Sequence, residues 1–225
     1  MKKVSLILFL LQGFGLIAYS QEKSSSVTIG KQVWMTENLS VDKFRNGDPI
    51  KHAKTDKEWK MAGENKQPAW CYYSNNPKNG VSYGKLYNWY AVNDSRGLAP
   101  KGWHIPTDDE WTALTDYLGG EEKAGDKMKS EKGWDKYQPL DSLGEPIGMP
   151  IQGNGTNTCG FSGLPGGNRY INGSFFYIGE YGNWWSSSEG GTGDAWYRNL
   201  NGGNGNVGRN DNFKVLGLSV RCLRD

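Results

Sequence analysis

The sequence predicts one α+β domain, with short helices early in the chain and a twisted antiparallel sheet late. Three observations carry this reading. Thr107 to Gly120 has the period and the end signals of a helix. Residues 132–225 have no helical period and consist of short aromatic-rich runs between glycines. No long linker divides the 225 residues, a length that suits one domain with a substantial core. Strand runs that follow helices, rather than alternating with them, point to α+β.

Composition excludes several classes. The 26 Lys and Arg nearly balance the 24 Asp and Glu, for a formal net charge of +2, which excludes a strongly basic nucleic-acid binder. A mean hydropathy of −0.71 excludes a polytopic membrane protein. Ten Trp and 13% aromatic residues exclude a disordered chain. The 32 glycines, roughly twice the usual share, signal many turns between short elements.

In chain order, Lys2 and Lys3 precede an apolar run from Val4 to Tyr19 that ends in Ala18-Tyr19-Ser20. Residues 1–20 therefore read as a secretory signal peptide cut before Gln21. The apolar run is shorter than the ~20 residues of a spanning helix, and no Cys lies near the cut for lipid attachment. The mature chain is expected to be exported (secreted, periplasmic or on the cell surface) without spanning the membrane. Residues 21–26 form a polar leader, and residues 27–225 the domain.

Val27 to Leu39 reads as two short strands around a Gly30 turn. Asp56 to Met61 suits a helical turn, residues 70–73 a strand and residues 74–80 a loop. Leu86, Trp89, Tyr90 and Asn93 would line one helical face. Thr107 and Glu110 form a capping box. Asp108, Asp109 and Glu110 complement the helix dipole there, and Trp111, Leu114 and Leu118 share a face. Gly119 suits the C-terminal end, and residues 121–131 a further short helix. Beyond them GFSGL, NRYI, SFFYI, NWWSSS, AWYRNL and LSVRCL read as strands.

Reactive groups are sparse. The three cysteines, Cys71, Cys159 and Cys222, are an odd count, so at least one has no partner within the chain, and spacing does not decide the pairing. With only His52 and His104, no zinc or Cys–His nucleophile pattern arises. The first-turn carboxylates are accounted for by capping, and the glycine-rich strings lack the Lys and helix of a phosphate loop.

Four blocks in order carry a resemblance: GKQVWMTENL (30–39), YGKLYNWYA (83–91), LAPKGWHIPTDDEW (98–111) and GFSGLPGGNRY…WWSSSE…AWYRNL…GLSVRC (160–222). Together they resemble the Fibrobacter succinogenes major paralogous domain, common in secreted and surface proteins of Bacteroidetes and Fibrobacter. That family is similar to the C-type-lectin-like fold, in the branch of the formylglycine-generating enzymes. HIPTDDEW resembles that branch's helix start and LGLSVRC its terminal strand. Where the family usually has Cys, this chain has Ala99, and that Cys would bridge to the terminal Cys222. The resemblance thus implies a compensating Cys159–Cys222 disulfide.

Formylglycine-generating enzymes hold copper with closely spaced cysteines on the late sheet, and residues 195–217 contain none. The chain is accordingly read as no enzyme. The E-P-N, Q-P-D and W-N-D strings of calcium-dependent lectins are absent too, so no cofactor is expected, and a structural calcium has no motif behind it.

What remains is a binding surface late in the chain. Trp184, Trp185, Trp196 and Tyr197 offer stacking planes, followed by an Asn-, Gly- and Arg-rich run to Asn212. Amides both donate and accept, and Arg forks donate rigidly, a mixture that suits polyhydroxylated sugars or adaptable protein recognition. The expected ligand residues are Trp196, Tyr197, Arg198, Asn201, Asn204, Asn206, Arg209 and Asn210. The competing readings are core packing for Trp34, Trp103, Trp111, Trp184 and Trp185, hairpin turns for the Asn/Gly run, and a structural role for Arg221. The expectation is a non-catalytic module for extracellular glycan. The alternatives are a protein-binding adhesin and a divergent formylglycine-generating-type enzyme.

Overall fold

The computed structural model describes residues 25–225. The signal-peptide reading of residues 1–20 and most of the leader lie outside them. The expected hairpin forms from β1 (Ser26–Ile29) and β2 (Gln32–Met35), antiparallel around Gly30, whose φ of +61° explains the glycine. β3 (Lys51–His52) follows, and then α1 (Asp56–Glu64), capped by Thr55 and Glu58 in a box. β4 (Ala69–Cys71) pairs parallel to β3.

Two early expectations change. The 74–80 loop is half helix: α2 (Pro77–Tyr83) starts with Asn76 as cap and Pro77 in the first turn, a start signal hidden in a turn-rich string. The helix expected to carry Leu86, Trp89, Tyr90 and Asn93 on one face shrinks to one turn. β5 (Leu86–Tyr87) pairs with β4, Asn88 then caps, and only α3 (Trp89–Val92) is helical.

β6 (Trp103–His104) leads to α4 (Asp108–Tyr117), where the Thr107–Glu110 box forms as expected and Trp111, Leu114 and Leu118 are buried. α5 (Glu121–Met128) completes the helices. The late chain supplies β7 (Gly166–Arg169), β8 (Phe175–Ile178), β9 (Tyr181–Glu189), β10 (Asp194–Asn201), β11 (Gly208–Phe213) and β12 (Leu223–Arg224). The domain is therefore α+β, but its strands form several small sheets rather than one late sheet. The largest late sheet is antiparallel, in the order β11-β10-β9, and β7-β8 is a hairpin. β12 lies between β2 and β6, so the ends of the domain share a sheet. GFSGL forms no strand.

The core is aromatic. Trp184 and Trp185 are adjacent in β9, so their side chains leave opposite faces. Trp184 enters a cluster with Trp34, Trp111 and Phe161, beneath α4 and α5. Trp185 enters another with Tyr87, Trp89, Leu218 and Cys222. Core packing is thus the role of these tryptophans and of Trp103. Arg221 is fully buried. Its guanidinium donates to Asn38 Oδ1, Met35 O and Phe161 O, and its face lies 4.4 Å from the Phe161 ring centre.

The expected Cys159–Cys222 disulfide is absent, and all three cysteines are free. Cys222 is sealed in the cluster that also holds Ala99. Cys159 packs against the other cluster, its thiol donating to Lys127 O at 3.0 Å. Burial pushes the thiols of Cys71 and Cys222 up to about 12. Among the described residues, no helix is long and apolar enough to cross a membrane.

Candidate functional site

Along β10 the pleat sends Trp196, Arg198 and Leu200 to one face and Ala195, Tyr197, Asn199 and Asn201 to the other. This parity separates residues that the sequence presents as one run.

The first face is locked. Arg198 is buried and pairs with Asp108 at the start of α4. Its second terminal nitrogen donates to Asp108 O at 3.1 Å and to Thr112 Oγ1 at 2.8 Å. Arg209, cross-strand from Arg198, donates to Asp108 Oδ2 through Nε and Nη2 at 3.0 and 2.8 Å. The same guanidinium lies 3.9 Å from the Trp196 ring centre. Burial pushes the Asp108 carboxyl up, but hydrogen bonds from Arg209 and Arg198 outweigh it and hold the group below its ordinary value. Arg198 therefore does not reach the surface expected to bind. Its guanidinium ties the late sheet to α4.

The second face is open and forms one side of a cleft of about 510 Å³, within the ~300–1,000 Å³ range of small-molecule sites. Tyr181, Asn183, Tyr197, Asn199 and Asn212 line it from the sheet. Asn168, Tyr170, Phe176 and Tyr177 face them from the β7-β8 hairpin, and Leu216 and Leu218 also contribute. No charged side chain lines this cleft. Asn183 is held by donating to Gly167 O at 3.3 Å, and Asn199 Oδ1 accepts from Asn210 Nδ2 at 3.2 Å. A Cβ at Gly208 would collide with the Asn199 amide, so the glycine leaves that side chain its room. Burial pushes the phenol of Tyr197 up, against a hydrogen bond with Asn212.

Two features mark the cleft as more than a gap between elements. Asn168 is only 8% exposed, yet its Oδ1 has no hydrogen-bond partner. Leaving such an acceptor bare costs about 1–3 kcal/mol, and a bound donor would recover this. At the rim Tyr177 has φ +67°, directly opposite Gly167 at φ +65°. The left-handed conformation costs a residue with a side chain roughly 1–2 kcal/mol.

Of the eight expected ligand residues, only Tyr197 lines this cleft. Asn210 is exposed on the same face and steadies Asn199. Asn201 lines a second hollow, and Asn204 and Asn206 are exposed in the β10-β11 turn. That turn is pinned by Lys129 Nζ, which donates to Asn201 O at 3.3 Å and Asn204 O at 2.8 Å. Trp196, Arg198 and Arg209 belong to the locked face. Sequence reading missed Asn168, Tyr170, Phe176, Tyr177, Tyr181 and Asn183. The alternation of Leu200 and Arg198 with Asn199 and Tyr197 was the signal that separates the faces.

Fold and site define an α+β domain with an uncharged, amide- and phenol-lined cleft built on its largest late sheet. The Fibrobacter succinogenes major domain matches residues 27–224, and the chain belongs to that family. No curated protein and no solved structure matches the chain.

Proposed function

We propose that this protein is an exported, non-catalytic binding module whose cleft holds an uncharged sugar of an extracellular glycan. The buried Asn168 Oδ1 carries the reading. A bare acceptor among phenol faces and amides suits a hydroxyl-rich ligand that donates and accepts through one group. The absence of a lining charge favours a neutral sugar over a sulfated or uronate one, because nothing in the cleft would pair a buried anion. Export rests on the signal-peptide pattern of residues 1–20. The C-type-lectin-like reading of the scaffold, and its kinship to formylglycine-generating enzymes, rest on the HIPTDDEW and LGLSVRC blocks. His104, which opens the first block, pairs with Leu223, the residue after the second.

A protein ligand is the second reading. It is favoured by the exposed side chains of Leu140, Leu143, Ile147 and Met149 on the segment that follows Trp134. A glycan array probed with the purified protein, with and without EDTA, separates the two. Binding that persists in EDTA and falls in Tyr197→Ala supports the sugar reading. Loss of binding in EDTA would instead demand a metal. A blank array shifts weight to a protein ligand and to pull-downs from envelope extracts.

A further inference from the structure

Beside the cleft lies the second hollow, of about 370 Å³, lined by Tyr137, Gln138, Tyr181, Asn201 and the Gly202-Gly203 pair together with the charged Asp135, Lys136 and Glu180. Tyr181 lines both cavities. The two are also continuous along the strands. Asn199 pairs with Asn183 inside the cleft, and two positions on Asn201 pairs with Tyr181. Same-face residues in a strand repeat every ~6.6 Å, twice the rise per residue. This is comparable to the step between linked sugar rings. The Tyr177 and Tyr181 ring centres are 5.1 Å apart, so aromatic surface continues across the junction. The Lys129 bonds to the β10-β11 turn hold Asn201 and the glycine pair in place, so the second hollow is preformed.

We propose that the cleft and the second hollow form one elongated site, joined at Tyr181, that takes a linked chain of at least two sugar rings rather than a single terminal ring. The proposal rests on the glycan reading above and adds its length. The cleft holds one neutral ring against Tyr197 and Asn168. The next ring reaches Asn201 and the Tyr137 ring, which packs against Gly203 on one side while the residue is 46% exposed. The second hollow differs from the cleft in carrying charged lining residues, Asp135, Lys136 and Glu180.

The test is isothermal titration of the purified protein with glucose, mannose and galactose oligosaccharide series, each from one to four rings. The expected result in at least one series is an affinity gain of about tenfold or more from one ring to two or three. Tyr137→Ala and Asn201→Ala should bring the ratio of three-ring to one-ring affinity down to about one. Asn201 also accepts from Gly203 N at 2.8 Å within the turn. Tyr137→Ala, at an exposed position, is therefore the cleaner of the two variants. Equal affinity at every length overturns the elongated site while leaving a one-ring cleft. A gain with length that survives Tyr137→Ala overturns it as well. No binding in any series, by a protein whose circular dichroism shows it folded, overturns the neutral-sugar reading and the elongated site together.

Discussion

The two faces of β10 use the same strand in opposite ways. On one, Arg198 and Arg209 close on Asp108, and the terminal nitrogens of Arg198 are bonded while its buried Nε is left without a partner. On the other, Asn168 keeps a bare oxygen and Tyr177 a strained backbone. Stability is concentrated where charges are paired and buried. The bare oxygen and the left-handed residue beside the cleft are what a ligand there would relieve. Substitutions on the two faces should therefore separate into those that unfold the protein and those that only blind it.

The largest effect is expected on the locked face. Asp108→Ala strands the buried Arg198 charge and should cost about 3–5 kcal/mol in urea unfolding. A loss under about 1 kcal/mol would show that this face is not what holds the sheet to α4. The same group sets an acid limb. Its folded value lies below the ordinary 3.8, so its stabilisation is present above that pH and fades as pH falls through the folded value. Asp108→Asn should flatten the limb, visible as a shallower loss of thermal midpoint between neutral pH and pH 3.

Next comes the open face. Asn168→Ala should lower sugar affinity about tenfold, or 1.4 kcal/mol, while the urea midpoint stays level or rises because an unsatisfied acceptor leaves with the side chain. A clear fall in stability would mean that the bare oxygen is satisfied in solution and the two faces are alike. Tyr177→Gly should stabilise by about 1 kcal/mol through relief of the left-handed backbone and weaken binding through loss of the ring. Calorimetry and titration on one sample decide both. The smallest effect is at Arg209, whose side chain is 39% exposed. Arg209→Ala should cost about 1 kcal/mol or less and leave affinity within twofold, which separates it from the ligand role its sequence position suggested.

What was legible in the sequence is local. The Thr107–Glu110 box and the Trp111, Leu114 and Leu118 stripe define α4 without outside help. Asp108 was legible as a capping charge, but not as the partner of Arg198, 90 positions away. The period of two in AWYRNLN would have split the Asn/Arg run, but composition drew Trp196, Arg198 and Arg209 into one patch with Tyr197. The far wall of the cleft was out of reach. It depends on the β7-β8 hairpin folding back over the sheet, with Gly167 so close to Phe176 O and Ile178 N that a Cβ would clash. The disulfide expectation failed for a similar reason, since a pairing implied by family resemblance does not tell which core each cysteine enters.

The three free thiols give the molecule a built-in gauge of its own opening. In the native protein an alkylating reagent meets half-buried Cys159 first, while Cys71 and Cys222 are sealed and their thiolates suppressed. The second and third labels therefore count molecules whose cores have come apart. Their rate of appearance, read by mass, reports the frequency of unfolding without denaturant.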